Sequence, residues 1–344
     1  MKILVTGGSG HLGANLVRKL VEDGQDVRCF ELHGTPARAL EGLPVERIEG
    51  DLRDPASLAK AMKGIDRVFH PAAVVSTLEA DEPLLFASNV IGTKNLLHAA
   101  REAGVGRVVV TGSFSAVGHR EDGEPSNESV PFNPFGQVMP YEKSKAGVEH
   151  EVLKAVVEGQ DVVIATSCAL IGGHDYMPSR MGRVIRDFAN GKLRAYVPGG
   201  FEFVAARDIA EGHVLAMHKG RTGQKYIIST EFCTVDRFVE ICESVTGKKR
   251  PSFRLPHSVM RPAAHVTSFL LSRWRPSDPQ RFTPGALRIL SQHRHADITK
   301  SKTELGYRPT SIAEAVADAY AFFGKRGEIE GYRAPSEPLA RAAQ

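Results

Sequence analysis

Short unbroken apolar runs alternate along this chain with longer segments whose apolar residues recur at three- and four-residue spacing. "KILVTG" (2–7) is the first run. In "HLGANLVRKLVEDG", Leu12, Leu16, Val17 and Leu20 share one stripe that stops at Gly24, which predicts a helix. "DVRCFEL" (26–32) and "VERIEGDL" (45–52) predict the next strands, and "PASLAKAMKGI" predicts a helix with Pro55 in its first turn. "RVFHPAA", "RVVVTGS" and "DVVIATSCALIGG" follow as strands, separated by the helices "EPLLFASNVIGTKNLLHAAREAG" and "PYEKSKAGVEHEVLKAVVEG". Val/Ile runs between amphipathic helices are the mark of a parallel sheet covered on both faces. The expected fold class is therefore α/β, a doubly wound parallel (Rossmann) sheet over residues 1–173.

After Gly173 the pattern loosens. Short strands ("FEFVAA", "KYIIS") mix with helices ("PSRMGRVIRDFANG", "TVDRFVEICESVTG", "SIAEAVADAYAFFG") and many prolines. That predicts a smaller mixed α/β substrate lobe over 174–324, interleaved with the sheet at its carboxyl edge. Residues 325–344 lack apolar periodicity and are expected to trail as a loose tail.

Composition changes this picture little. A formal charge of +4 on 344 residues, with short clusters only ("GKKR", "HRH"), argues against nucleic acid and reads as solvated surface. Cys29, Cys168, Cys233 and Cys242 show no metal-ligand spacing, so reduced thiols, no metal and a cytoplasmic location are expected. "MKILVTGG" suits a buried strand rather than a signal peptide. "AAHVTSFLLSRW" (263–274) is too short to span a bilayer and is expected to line a greasy substrate channel.

The chemistry starts in "VTGGSGHLG". Gly7 would make the turn, Gly10 would admit a pyrophosphate to the backbone, and Gly13 would let helix and strand pack closely. His11 and Leu12, inside the same loop, are counted with it as cofactor-binding. Glu31 ends the second strand, where an acid takes the ribose hydroxyls and opposes the extra phosphate of NADP. NAD is thus expected, with Arg38 in reach of a 2′-phosphate should NADP be used. Tyr141 and Lys145, four apart in "PYEKSK", share a helix face, so a lysine ammonium and a cationic nicotinamide would favour phenolate. Ser113 ends a strand where ligand crevices form, with Ser115 as its rival and Thr111 just ahead as a cofactor contact.

"TGGSGHLG", "GDLRD", "FHPAA", "NVIGTKNLLHAA", "VVVTGS" and the Tyr141/Lys145 pair occur in an order that resembles the extended short-chain dehydrogenases/reductases. The likeness is greatest to the branch of dihydroflavonol reductases and 3β-hydroxysteroid dehydrogenases. The resemblance implies that Tyr141 is the acid/base, Lys145 holds the nicotinamide ribose and Ser113 binds the carbonyl oxygen. It further implies that Asp51 and Leu52 flank the adenine and that Ala72 and Ala73 contact ribose and phosphates. Asn89 would support the site, and a homodimer through a helix pair is common in such proteins. Ser167 stands where a proline is usual, with Leu170 still placed for the nicotinamide ring, and Pro71 replaces a usual leucine.

A dehydratase would carry an Asp-Glu pair where Phe114 and Ser115 stand, and a cofactor sensor would lack the Tyr/Lys pair. A nucleotide-sugar 4-epimerase with tightly bound NAD remains as the alternative, on the strength of "RWRPSD" (273–278). Met177, Met181, Phe201 and Phe203, beside Arg180 and Arg183, favour a hydrophobic small molecule instead. The expected activity is interconversion of a secondary alcohol and its ketone on a sterol-, polyketide- or acyl-like substrate.

Overall fold

The apolar runs of the first half become strands in their expected order. They are β1 (Lys2–Thr6), β2 (Asp26–Leu32), β3 (Val45–Gly50), β4 (Arg67–His70), β5 (Arg107–Ser113) and β6 (Val162–Ser167). Between them lie helices α1 (His11–Glu22), α2 (Pro55–Ala61), α3 (Glu82–Leu85), α4 (Gly92–Glu102) and α5 (Pro140–Val157). The computed structural model describes residues 1–120, 122–136, 138–256, 258, 260 and 284–334. Its second half holds β7 (Ala169–Ile171), α6 (Arg180–Ala189), β8 (Ala195–Tyr196), β9 (Gly200–Ala205), α7 (Ala206–Lys219) and β10 (Lys225–Ile228). After these come β11 (Glu231–Thr234), α8 (Val235–Thr246), β12 (Phe253–Arg254), α9 (Pro284–Ser291) and α10 (Ile312–Lys325).

The main sheet has the order β10-β6-β5-β4-β1-β2-β3, and its pairs are all parallel. Alternation along β1 shows why both faces are apolar. Ile3 and Val5 pack with Leu16, Val17 and Leu20 of α1 and Ile209 of α7, while Leu4 packs with Leu58, Leu96 and Val148 on the other side. The strand order reverses between β1 and β4, and the candidate site residues lie at the carboxyl ends of these strands and their neighbours.

The structure departs from the sequence expectation in several places. "DVVIATSCALIGG" is two strands, because β5 ends at Ser113, opposite Ser167, and leaves the next residues without a partner. Past Cys168 the chain pairs with β9 instead, in a separate sheet of order β11-β9-β7. β10, expected in the second lobe, is an edge strand of the main sheet, with Tyr226 and Ile228 in its core. The 82–104 helix is interrupted by a π-helical stretch, Phe86–Ile91, that carries Asn89. π-Stretches often mark functional positions.

The expected tail is partly packed. Ile329 is buried with Val316, Ala319 and Phe323, and the Tyr332 ring lies 5.1 Å from that of Tyr320. One aliphatic and one aromatic residue are too few to make a periodicity, yet enough to pin the segment. Residues 335–344 lie outside the described ones, as do "AAHVTSFLLSRW" and "RWRPSD". Among the described residues no helix is long and apolar enough to cross a membrane.

Candidate active site

β1 delivers the chain to Gly7, whose φ of +65° is the left-handed conformation that glycine adopts without strain. Gly10 N–H then donates to Gly7 O at 3.0 Å, and Ala14 N–H to Gly10 O at 2.8 Å opens α1. A Cβ on Gly13 would sit 2.1 Å from Gly7 O, so the helix and loop touch backbone to backbone. A Cβ on Gly7 would meet Ala72 Cα at 3.1 Å, which places Ala72, and Ala73 after it, against the loop. The loop meets the needs of a dinucleotide pyrophosphate. Gly10 caps α1 without a side chain, and the helix amino terminus carries free N–H groups.

Two residues of this cradle are placed otherwise than expected. Glu31 ends β2, but its carboxylate lies beneath the loop, accepting from Ser9 N–H at 3.2 and 3.3 Å, and burial raises its pKa. Leu32 and Arg38 are exposed just beyond it. The His11 ring is committed to the second lobe. Its Nε2 donates to Gly173 O at 3.0 Å, beside Asn15 Nδ2 on the same carbonyl, and Nδ1 lies 3.9 Å from Asp175. Any contact of His11 with a cofactor is therefore left to its backbone. Leu12 packs into the core of the main sheet.

The rest of the cradle lies at neighbouring strand ends. Asp51 follows β3 and is held by Arg53, while Leu52 packs against Gly92 and accepts from Asn95 Nδ2 at 3.1 Å. Ser167 ends β6 with its hydroxyl on Cys168 O, and Leu170 lies in β7.

Pro140 occupies the first position of α5, and the Glu142 carboxylate accepts from Met139 N–H at 2.7 Å, which fixes where the helix starts. Tyr141 therefore projects from the first turn, and Ser113 acts on its phenol. Ser113 Oγ lies 2.8 Å from Ser115 Oγ, so the expected rivals form one pair of hydroxyls, of which Ser113 acts on the Tyr141 phenol. Burial pushes the Tyr141 pKa up, opposed by Ser113. The expected lowering by Lys145 is not found in the chain alone, because that ammonium is on Thr111 O at 3.0 Å.

Lys145 is itself buried, and desolvation lowers its pKa to about 8. The folded chain sheds this proton near pH 8 and the unfolded chain near 10.5, so Lys145's penalty is relieved as pH rises through that window. At pH 7 the shift corresponds to about 3 kcal/mol. Lys145→Met should therefore stabilise the cofactor-free protein by about 2–3 kcal/mol in urea unfolding at pH 7 while abolishing activity. A destabilised Lys145→Met protein would contradict this reading.

Asn89 clamps the loop after β4 to α5. Its Oδ1 accepts from Val74 N–H at 2.8 Å, and its Nδ2 donates to Val74 O and Ser144 Oγ. Ser144 Oγ in turn donates to Tyr141 O at 2.8 Å.

Two buried histidines beneath the site escape a sequence reading. Thr93 donates its only hydroxyl hydrogen to Asn89 O, so it accepts from His70 Nε2–H at 3.0 Å. His70 Nδ1 is then an acceptor for Thr6 Oγ1 at 2.7 Å, and burial holds its pKa at about 3. His213 donates from Nδ1 to Ile209 O and accepts from Thr111 Oγ1 at 2.8 Å. Four-residue spacing (Asn89/Thr93, Ile209/His213) was the one available signal, and it is too common to stand out.

The model of the NAD dependent epimerase/dehydratase family matches residues 3–229. The "Sterol demethylase protein B" of Methylococcus capsulatus is 44% identical over 96% of this chain and 100% of its own. A "Putative dihydroflavonol 4-reductase" of Synechocystis is 34% identical, covering 95% of each. Among solved structures, the dTDP-glucose 4,6-dehydratase of Streptomyces venezuelae, crystallised with NAD, superposes with a TM-score of 0.77 at 26% identity, covering 96% of this chain and 99% of that one.

Proposed function

This chain belongs to the NAD dependent epimerase/dehydratase family, and on that footing we propose that it interconverts a secondary alcohol and its ketone on a largely hydrophobic, sterol-like substrate. The observation that carries this reading is Tyr141 in the first turn of α5, one turn from a buried Lys145, with Ser113 acting on its phenol. Similarity to a sterol demethylase protein supports the substrate class. So do the exposed apolar side chains of Val75 and Met177, on two segments that Arg180 Nη2 joins by its 2.8 Å bond to Thr77 Oγ1.

Bound NAD supplies the hydride acceptor. The loop at Gly7, Gly10 and Gly13 would hold its pyrophosphate, with Ala72 and Ala73 alongside. Asp51 and Leu52 would hold the adenosine end, Glu31 from beneath the loop would oppose a 2′-phosphate there, and Lys145 would hold the nicotinamide ribose. In the oxidation direction the Tyr141 oxygen takes the substrate hydroxyl proton, and Ser113 keeps the substrate oxygen in line through a hydrogen bond. A raised phenol pKa suits Tyr141 to the reverse task, donating a proton to the developing alkoxide. Asn89 and Ser144 fix the first turn of α5 so that the phenol does not wander.

The test is a panel of secondary alcohols and ketones, 3-hydroxysterols included, followed at the nicotinamide absorbance with NAD and with NADP. The largest kcat/KM is expected for a sterol with NAD, and Glu31→Ser should narrow the preference, because a carboxylate at the β2 end opposes a 2′-phosphate. A wild-type preference for NADP of about tenfold or more would contradict the role given to Glu31 and shift it to Arg38.

A further inference from the structure

The "HRH" cluster at 293–295 reads in sequence as solvated surface, yet Arg294 is turned inward. Its Nη2 donates to Val117 O at 2.6 Å and lies 3.2 and 3.3 Å from the carbonyls of Phe114 and Gly118. Its guanidinium carbon stacks 4.9 Å from the centre of the Phe114 ring. These acceptors make up the turn that begins directly after Ser113. Six residues earlier, Arg288 Nη2 donates to Glu142 Oε2 at 2.7 Å, and Glu142 directly follows Tyr141.

Both arginines come from one segment, and that segment is anchored independently of them. His295 O accepts from Ser126 N–H at 2.8 Å, and Asp297 N–H donates to Ser126 O at 3.0 Å. Ala296 N–H donates to Glu202 Oε2 at 3.1 Å, which ties it to β9. Gly285 abuts Met139, where a Cβ would fall 2.4 Å from the sulfur. The segment is thus a fixed bar, with one cation reaching each of the two elements that carry Ser113 and Tyr141.

We propose that Arg294 is a positioning residue for Ser113, and Arg288 for Tyr141, so that residues 284–296 of the second lobe set the spacing of the two hydroxyls. This rests on the roles given to Ser113 and Tyr141 above. The turn after Ser113 presents its carbonyls to one nitrogen, Arg294 Nη2, with Val117 O nearest, while the planar guanidinium also lies over the Phe114 ring, a stacking that an ammonium does not reproduce. Glu142 needs its carboxylate twice, for Met139 N–H and for Arg288. Loss of the cation therefore relaxes the first turn of α5 without removing its cap. Small displacements of a reacting group cost rate far more than binding.

The test uses the full-length enzyme and the fastest substrate from the panel above. Arg294→Met, which keeps packing over Phe114, should lower kcat about tenfold or more, while NADH affinity by fluorescence titration stays within about twofold. Arg294→Lys should recover part of the rate. Glu142→Gln, which keeps an acceptor for Met139 N–H but drops the ion pair, should show the same split between kcat and affinity. A purely structural role predicts a lower melting temperature with wild-type kcat per folded site. Wild-type kcat in folded Arg294→Met and Glu142→Gln would overturn the inference. Should Arg294→Met not fold, Arg294→Lys decides by the same split, its unchanged kcat overturning the proposal. Tyr141→Phe run alongside separates the two readings: if it is active, the roles of Tyr141 and Ser113 fail first.

Discussion

Tyr141→Phe should retain NAD affinity and lose turnover by a factor of about 10² or more, the usual scale for removing a general acid/base. The change deletes one oxygen from a helix whose start is fixed by other groups, Pro140, Met139 N–H and Glu142. It also leaves Ser113 a partner, since Ser115 Oγ lies 2.8 Å away. The fold and the cradle should therefore survive, so kcat and cofactor affinity part company. Steady-state kinetics paired with NADH fluorescence titration reads both. Near-normal turnover in a folded Tyr141→Phe protein would remove the phenol from the mechanism.

Gly13→Ala should damage the other half of the site. The added methyl would stand 2.1 Å from Gly7 O and 2.8 Å from Gly8 Cα, both backbone atoms with no rotamer to turn away. Either α1 moves off the sheet or the loop opens, and overpacking of this kind costs about 1–3 kcal/mol. The loop is also where the pyrophosphate would lie. NAD affinity is therefore expected to fall about tenfold or more, with a drop of several degrees in melting temperature. Wild-type affinity in Gly13→Ala would show that the loop tolerates displacement and is not the pyrophosphate cradle.

The first-half fold was legible because its strands are continuous apolar runs, such as "RVVVTGS", buried on both faces. The glycine loop was legible because its spacing follows a strand and opens a helix. Strand partnership was not. Nothing in "TSCALIGG" says that β5 stops opposite Ser167, so the crossing to a second sheet at Cys168 becomes visible only once strands are paired. The same limit placed "KYIIS" in the second lobe, although it completes the main sheet as β10. Side-chain direction was the second limit. Sequence position put Glu31 and His11 at the cradle, but one carboxylate turned under the loop and one imidazole turned to Gly173. Arg294 was the reverse case, a polar cluster residue whose acceptors are carbonyls 176 to 180 positions away. Such pairings carry no local signal.

Hydride bookkeeping on a labelled substrate bears most directly on the proposed activity. A sterol deuterated at its carbinol carbon is incubated with excess NAD, and free nicotinamide is analysed by mass spectrometry as ketone accumulates. An alcohol dehydrogenase releases its cofactor each turnover, so every ketone formed should be matched by a deuterated NADH in solution. Tightly retained NAD, no net cofactor change and label returned to the carbon of a nucleotide-sugar substrate would contradict this account in favour of an epimerase.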